Sequence, residues 1–319
     1  MFIYTIRRLN LFVITLTILT LIGYGLVRLE PTTTWAHMDF WSGWVQYLKQ
    51  VLDGELGVNH QGLSVIDEVA KVFPATLELC FFASILSLLI GIPLGTIAGM
   101  KRGSPIDTLI SSTALIGYSM PLFWIALLSI MFFSLRLGWL PVSGQYSMLY
   151  EIETKTGVTI IDTLLLKDPN QGYILIDVVN HLVLPTVVLA LAPMTEVIRE
   201  MRVSVANVIT KNYIKAAQTR GLSKYEIIVR HVIRNALPPI IPKLGIQMSG
   251  MLTAAMMTES IFNWPGIGRW LLNAIANQDY VSIQAGVLAV ASFVLIANII
   301  TDLIGAFANP LVRKQWNAI

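Results

Sequence analysis

The stretch Tyr213–Pro239, YIKAAQTRGLSKYEIIVRHVIRNALPP, is a charged segment between long apolar runs, and it decides how the chain is interpreted. Tyr213–Arg220 predicts a helix, and Gly221 stands where a helix commonly stops, because glycine tolerates a positive φ. Ser223 and Glu226 form a Ser-x-x-Glu capping box, in which each side chain is expected to bond the backbone amide of the other. The segment therefore predicts a helix, a sharp glycine turn and a second, capped helix.

The second of these helices carries an apolar face at helical spacing and ends at Leu237-Pro238-Pro239. A short helix that projects from a tight turn has a shape that can enter a cleft on another protein. The alternative is a surface helix lying against lipid headgroups, and the periodicity alone leaves both open. The residues of the predicted face are Tyr225, Ile228, Val229, Val232 and Ala236.

The remainder of the chain is too apolar for a soluble protein. Its 319 residues are 55% hydrophobic and only 13% charged, with a mean hydropathy of +0.68. A soluble fold of that composition would expose large apolar patches. The apolar runs are long enough for transmembrane helices rather than barrel strands. We therefore expect an all-α integral membrane protein, with residues 1–319 forming a single transmembrane domain.

Six apolar runs can each cross a hydrocarbon core of about 30 Å. The third contains Pro121, and the fourth is the weakest because His181, Pro185 and Pro193 interrupt it. The first follows two arginines, as a signal peptide would, but no small-residue cleavage pattern comes after it, so we expect an uncleaved helix. The predicted spans are Leu9–Val27, Leu77–Met100, Ile106–Leu135, Val178–Ile198, Leu244–Phe262 and Val281–Phe307.

The distribution of positive charge predicts the orientation of these spans. With both termini inside, 15 of the 22 Lys and Arg residues fall on the inner side, as the positive-inside rule requires. Residues 28–76 and 136–177 then form outer loops, and residues 199–243 form an inner loop. Within the first outer loop, Trp41–Leu52 is weakly amphipathic and predicts a helix at the membrane interface.

Two residues of the predicted fifth span and one residue just after it are candidates for a translocation path or gate. Glu259 is costly inside a bilayer, so it either lines a path for cations or has a structural partner. Met251 belongs to a methionine-rich stretch that lines an adaptable gate or packs between helices. Trp264 anchors the turn WPGIG, which is either a plain connection or an outer lip that meets a binding protein.

Several kinds of chemistry are missing from the sequence. It has no Gly-x-x-x-x-Gly-Lys-Ser/Thr loop to hold ATP phosphates and no paired His or Cys spacing typical of a metal site. The single cysteine, Cys80, permits no internal disulfide and is expected to be buried. Asp302 is expected to be an interfacial acid near Arg313 or Lys314. We therefore expect no cofactor, no metal and no nucleic-acid partner on this chain.

The Tyr213–Pro239 segment resembles the cytoplasmic coupling loop of ABC-importer permeases. Ala216, Ala217 and Gly221 match its Ala-Ala-x-x-x-Gly core, although Lys215 replaces the usual acid. Ile233-Arg234 stands where Leu-Pro often follows, and that departure is typical of the dipeptide and oligopeptide branch. Other segments that resemble this branch are Phe73–Leu79, Gly138–Gly144, Phe262–Gly268 and Asp279-Tyr280. Within it, VFPATLEL, TEVIREMR and HVIRNALPPIIPKLG are most similar to permeases of the Sap type.

The resemblance implies a type I ABC-importer permease with both termini inside, in the inner membrane of a bacterium. Such a subunit is not an enzyme. It works with a second homologous permease, ABC ATPase subunits that bind ATP and Mg²⁺, and a periplasmic substrate-binding protein. The implied cargo is peptide, cationic or antimicrobial peptide in particular, with putrescine export as the alternative. The residues implied to contact the ATPase are Ala216, Ala217, Arg220, Gly221, Leu222, Ser223, Lys224, Tyr225 and Glu226.

Two other classes of protein fit the residues less well. An ion-coupled carrier or channel needs several paired ionisable groups within its spans, whereas only Glu259 and Asp302 qualify here. An intramembrane enzyme needs a buried nucleophile and base or a metal constellation, and the sequence shows neither.

Overall fold

The computed structural model describes residues 2–30 and 34–308, and within these residues every regular element is helical. A single isolated antiparallel bridge joins Val58 to Ser64. The helices are α1 (Phe2–Val27), a 3₁₀ turn (Thr34–His37), α2 (Phe40–Leu52), α3 (Val65–Met100), α4 (Pro105–Ser119), α5 (Leu122–Ser129) with π-helical turns (Ile130–Arg136), α6 (Thr159–Leu164), α7 (Gln171–Ile209), α8 (Asn212–Thr219), α9 (Lys224–Glu226) with π-helical turns (Ile227–Ile233), α10 (Arg234–Ala236), α11 (Ile241–Ile261), α12 (Ile267–Ala276) and α13 (Tyr280–Ala308).

Within the described residues, four helices are long and apolar enough to cross a membrane, and a bent pair makes a possible fifth. The four are segments of α1, α3, α7 and α13. α11 occupies the position of the predicted fifth span, but Lys243 and Glu259 lie near its two ends and lower its apolar character. The all-helical membrane fold is confirmed, while the count of six spans and their orientation stay predictions. We call the end of the bundle that contains α8 the inner end and the opposite end the outer end.

The predicted third span is not one straight helix. α4 and α5 are bent by 97° relative to each other, with the break at Met120 and Pro121. Met120 is extended, at φ −78° and ψ 137°, because the ring of a following proline disfavours the helical conformation. Pro121 also lacks the N–H that would continue the helical ladder. The predicted third span, Ile106–Leu135, therefore consists of two helices that meet at a proline corner, and whether it counts as one span stays a prediction.

The central packing is that of α3 against α7. Gly91, Gly95 and Gly99 lie one helical turn apart on α3 and face α7. A Cβ added at Gly91 would stand 2.7 Å from the side chain of Val197, and one at Gly99 would stand 2.7 Å from the carbonyl oxygen of Arg202. Small residues at this spacing let two helix backbones approach closely and increase the van der Waals contact between them. Such contact matters in a membrane, because the hydrophobic effect does not drive helices together in lipid.

The predicted fourth span, interpreted as the weakest, is part of the longest helix of the described chain. α7 runs for 39 residues through Pro185 and Pro193 without a break. At 1.5 Å per residue it is about 58 Å long, nearly twice the thickness of a hydrocarbon core. Its apolar span is also the most buried of the four, so packing against α3 overrides the two prolines. A helix of this length is longer than the core is thick, and the C-terminal part of α7 leads to α8 at the inner end.

Two ion pairs brace the inner end. The guanidinium of Arg202 on α7 bonds the buried carboxylate of Asp107 on α4 at 2.5 and 2.8 Å, and the amide of Gly103 donates to the same carboxylate at 2.8 Å. On the other side, Arg8 of α1 lies 2.7 Å from Asp302 of α13. Arg8 is thus one contact of Asp302; Arg313 and Lys314, its expected neighbours, lie outside the described residues.

At the outer end, α2 matches the predicted interfacial helix. Its Tyr47 packs against Tyr24 of α1, with ring centroids 5.7 Å apart, and burial raises the pKa of Tyr47 to about 12. The opposite face of α2 exposes Trp41, Val45 and Leu52. An aromatic and aliphatic stripe of this kind is typical of helices that lie in the headgroup region.

Candidate functional site

The loop between α7 and α11 has the predicted helix, turn and capped helix. α8 ends at Thr219, and Gly221 follows with φ +77°. The hydroxyl of Ser223 then accepts the backbone amide of Glu226 at 3.2 Å. The glycine turn and the serine cap are both confirmed. The return bond of the box differs from the prediction, since the Glu226 carboxylate accepts from the Ser223 hydroxyl at 3.4 Å and lies 3.5 Å from Arg230.

The predicted apolar face of the second helix is confirmed at Val232 and Ala236, which are buried, and wrong at its N-terminal part. There Ile227 is buried, whereas Tyr225 is 74% exposed and Val229 is 43% exposed. Residues 227–233 are π-helical, and a π-helix bonds i to i+5 rather than i to i+4. Its wider turn brings residues five apart onto one face, which a period of 3.6 residues does not anticipate. The aromatic ring at position 225 is consequently available to a partner.

The loop is held firmly on the bundle. Ile214 and Ala217 of α8 join Ile227 and Val232 in one apolar cluster with Val205 and other residues of α7. The hydroxyl of Ser204 on α7 also donates to the carbonyl oxygen of Ala236 at 2.7 Å. A force applied to the loop would therefore act directly on α7. The predicted contact residues that are exposed are Ala216, Arg220, Gly221, Ser223, Lys224 and Tyr225, while Ala217 is buried and Leu222 and Glu226 are intermediate.

Glu259, the predicted path acid, lies in a closed polar centre at the outer end. Its side chain is fully buried, and its carboxylate accepts the hydroxyl of Thr76 at 2.5 Å and the amide of Arg269 at 2.9 Å. The Thr76 hydroxyl in turn accepts the amide of Ile267 at 2.8 Å. A carboxylate that receives amides from the first turn of α12 stabilises that helix end. The contacts favour the structural alternative for Glu259.

Trp264 belongs to the same centre. It is fully buried, its ring Nε1 donates to the carbonyl oxygen of Ala75 at 3.0 Å, and its amide donates to the carbonyl oxygen of Glu259 at 2.8 Å. A Cβ at Gly266 would collide with the Glu259 carboxylate, so that position has room for glycine alone. The geometry favours the connecting role of this turn over an exposed lip.

A second buried glutamate, Glu78, lies two positions after Thr76 on α3 and holds another helix end in the same way; it was not predicted from the sequence. The carboxylate of Glu78 accepts the amides of Thr159 and Ile160, at 3.2 and 2.8 Å, where α6 begins. Thr76 and Glu78 both lie in the Phe73–Leu79 segment, which thereby holds α12 and α6 to α3. Glu78 could have been identified from the sequence as an acid inside an apolar run, because such an acid usually faces a polar partner.

The outer loop around α6 is tied by a further carboxylate. Asp162 accepts the amides of Thr156 and Gly157 at 2.7 and 3.0 Å. Burial by itself would raise the pKa of Asp162, but these hydrogen bonds outweigh it and hold that pKa below its usual value. The loop is therefore an ordered structure in which the charged form of Asp162 is favoured.

Met251 lines a concavity of about 230 Å³ between α7 and α11. Its sulfur lies 3.5 Å from the hydroxyl of Ser84, and the residue is 4% exposed. Glu196 and Gln247 share the wall of this concavity with Tyr118. The acid beside this concavity is thus Glu196, which lies 3.7 Å from Arg199 and was not among the residues predicted from the sequence.

The fold also brings together Glu30, His60 and Asp279, whose ligand atoms all lie within 4.8 Å of one another. No metal site is predicted from the sequence, because its His and Cys residues show no paired spacing typical of one. Separations of 30 and 219 positions leave no local signal, and only the tertiary contact of three segments forms the group.

Comparison with known proteins identifies the family of the chain. Residues 91–314 match the family described as "Binding-protein-dependent transport system inner membrane component". The chain belongs to this family. Because the family is one of inner-membrane components and the chain has several apolar spans, it is a multi-pass protein of the bacterial inner membrane.

Individual relatives support the assignment over the full length. The chain is 48% identical to the peptide transport system permease protein SapB of Salmonella typhimurium and 47% identical to the putrescine export system permease protein SapB of Escherichia coli, each over 100% of both chains. It is 38% identical to the di/tripeptide transport system permease protein DppB of Pseudomonas aeruginosa, over 97% of this chain and 98% of the relative. The predicted resemblance to peptide ABC permeases, and to the Sap type among them, is confirmed.

A solved structure supports the fold. Inward-facing MetNI, a methionine ABC transporter, aligns with a TM-score of 0.55 at 15% identity, covering 74% of this chain and 93% of that chain. At this identity the likeness concerns architecture alone. It confirms the predicted architecture of an ABC-importer permease.

Proposed function

We propose that this chain is the non-catalytic permease subunit of an ATP-driven peptide transporter. The observation that carries the proposal is the loop of α8, Gly221 and the capped second helix, which is anchored on α7 and exposes Tyr225. A rigid helical projection with an exposed aromatic residue is suited to a cleft, where buried aromatic residues often dominate binding energy.

Coupling in this proposal runs from the loop into the bundle. The ATPase subunits bind ATP and Mg²⁺, and their closure moves the loop together with the C-terminal part of α7. α7 packs against α3 through Gly91, Gly95 and Gly99, so the two helices move as one body. Closely packed helices move between discrete arrangements and do not deform continuously. A shift of α7 at the inner end therefore changes the packing of the whole bundle.

The translocation path is formed in this proposal by this chain and a second homologous permease, with a periplasmic binding protein delivering cargo at the outer end. The concavity lined by Met251, Glu196 and Gln247 is this chain's share of the path. The carboxylate of Glu196 favours cationic peptides, and two of the relatives bear peptide transport names. Putrescine, a small dication, is the second candidate because one relative is named a putrescine export permease.

The coupling proposal is tested by Tyr225→Ala in the purified complex. Tyr173→Ala is the matched control, because Tyr173 is 72% exposed and Tyr225 is 74% exposed, but Tyr173 starts α7 at the outer end. Truncating a tyrosine that is a binding hot spot weakens the binding free energy by at least about 2 kcal/mol. We therefore expect Tyr225→Ala to lower the affinity for the ATPase roughly thirtyfold. Equal retention of the ATPase subunit by both variants would refute the docking role.

Cargo is tested in vesicles that contain the permease pair and its ATPase. Uptake of a basic peptide, a neutral peptide and putrescine is measured with ATP or with an ion gradient alone. Transport that needs ATP supports the proposal, whereas transport driven by the gradient alone would favour a carrier. Glu196→Gln should lower transport of the basic peptide or of putrescine and leave that of the neutral peptide unchanged.

A further inference from the structure

Glu30, His60 and Asp279 meet at the outer end, away from the loop and the concavity discussed above. Glu30 follows the end of α1, His60 lies in the segment between α2 and α3, and Asp279 precedes α13. One ligand atom from each lies within 4.8 Å of the other two. Three separate parts of the chain thus converge on one small volume.

The two buried carboxylates of this group favour a bound cation. Glu30 and Asp279 are each only 7% exposed, and two carboxylates that share a poorly solvated site repel each other unless positive charge lies between them. The His60 Nε2 is 2.8 Å from the Glu30 Oε1. A divalent ion in place of the proton between these two atoms would neutralise both carboxylates at once.

The existing hydrogen bonds leave acceptor capacity for an ion. Asp279 caps α13, with its two oxygens accepting the amide and the hydroxyl of Ser282 at 3.0 and 2.8 Å. An ionised carboxylate has about four lone-pair sites. Capping and coordination by Asp279 are therefore compatible.

The distances suit a small metal ion. In a tetrahedral zinc site with ligand atoms about 2.1 Å from the ion, any two ligand atoms lie about 3.4 Å apart. From the Glu30–His60 distance of 2.8 Å and the 4.8 Å limit, no pair has to move by more than about 1.4 Å to reach this spacing. His60 also lines two open concavities of about 770 and 530 Å³, through which an ion and a fourth ligand, water, can enter.

We propose that Glu30, His60 and Asp279 form a site for a divalent transition-metal ion of the zinc type. One imidazole and two carboxylates are a donor set that zinc accepts, whereas calcium and magnesium prefer oxygen ligands alone. The bound ion would tie the outer end of α1 to the start of α13. The proposal is independent of the cargo and of the coupling loop.

The test is calorimetric titration of the purified full-length chain in detergent with ZnCl₂, with the bound metal counted by mass spectrometry. We expect one zinc ion per chain and an affinity at least about tenfold lower in His60→Ala. His37→Ala is the matched control, since His37 is an exposed histidine of the same outer segment, and should bind zinc as the wild type does. Asp279→Asn retains a good helix cap and should also bind zinc more weakly.

A second measurement covers the case in which a variant fails to fold. Zinc should raise the unfolding temperature of the wild-type chain, because an ion that binds only the folded state stabilises it by mass action, and magnesium should not. The proposal is overturned if the wild type shows no saturable zinc binding, if zinc leaves its unfolding temperature unchanged, or if folded His60→Ala binds with wild-type affinity.

Discussion

Thr76→Val tests whether the outer polar centre holds α12 to the bundle. The hydroxyl of Thr76 donates to Glu259 at 2.5 Å and accepts the amide of Ile267 at 2.8 Å. Thr76 is 1% exposed, so water cannot replace either bond. Valine has nearly the same shape as threonine, and the substitution therefore removes the hydroxyl without leaving a large cavity.

The expected decrease in the free energy of unfolding follows from these two hydrogen bonds. A buried amide left without a partner costs about 1–3 kcal/mol, and a hydrogen bond to a charged group contributes about 1.5–3 kcal/mol. Allowing for some relaxation of the turn that contains Trp264, we expect Thr76→Val to lower the free energy of unfolding by about 2–4 kcal/mol. In a protein of this size such a loss corresponds to a fall of roughly 3–6 °C in the unfolding temperature.

The assay is thermal unfolding of the purified permease in detergent, with Thr186→Val as the control. Thr186 of α7 is also buried, but in the described part of the chain its hydroxyl has no hydrogen-bond partner. Its replacement should leave stability within about 0.5 kcal/mol of the wild type. Hydrogen exchange should locate the effect of Thr76→Val in α12.

A double-mutant cycle with Glu259→Gln adds a check on the same reasoning. The glutamine amide group turns a donor toward either Thr76 or the amide of Arg269, so the single variant should also be destabilised. Because both changes damage one network, the double variant should lose less than the sum of the two. The reasoning is refuted if Thr76→Val and Thr186→Val are equally stable, or if Glu259→Gln changes cargo preference at unaltered stability.

Three further predictions concern the loop and the topology. Gly221→Val should detach or uncouple the ATPase, because a β-branched residue at φ +77° is strained by about 1–3 kcal/mol, while Gly221→Asn should keep stimulated ATPase activity; normal activity in the valine variant would contradict the turn's role. Ser223→Ala should remove a cap worth about 1 kcal/mol and weaken coupling, Ser223→Asp should preserve it, and complete loss in the alanine variant would instead point to direct partner contact. In a Cys80→Ala background, Met148→Cys should react with an impermeant thiol reagent from outside and Lys215→Cys only from inside; the reverse pattern would overturn the orientation.

Local chemistry made much of the loop predictable. Ser223 and Glu226 stand at capping distance along the chain, and Gly221 stands at a helix end, so neither feature depends on distant residues. The burial of Ile227 in place of Tyr225 and Val229 was not predictable in this way, because Ile227–Ile233 adopts π-helical turns. The exposure of Tyr225 follows from that change of period.

A helical membrane protein of the binding-protein-dependent transport family was predictable from the amino-acid sequence, as were the turn and the cap of the loop between α7 and α11. Those features depend on apolar length, charge bias and neighbours within one or two turns. The tertiary structure alone decided that Glu259 supports α12, that Glu78 supports α6, and that Glu30, His60 and Asp279 meet. Each of these side chains meets a partner that lies tens or hundreds of positions away along the chain, because helix packing brings the two together. The residues next to an acid in the sequence do not indicate which amide or imidazole that partner will be.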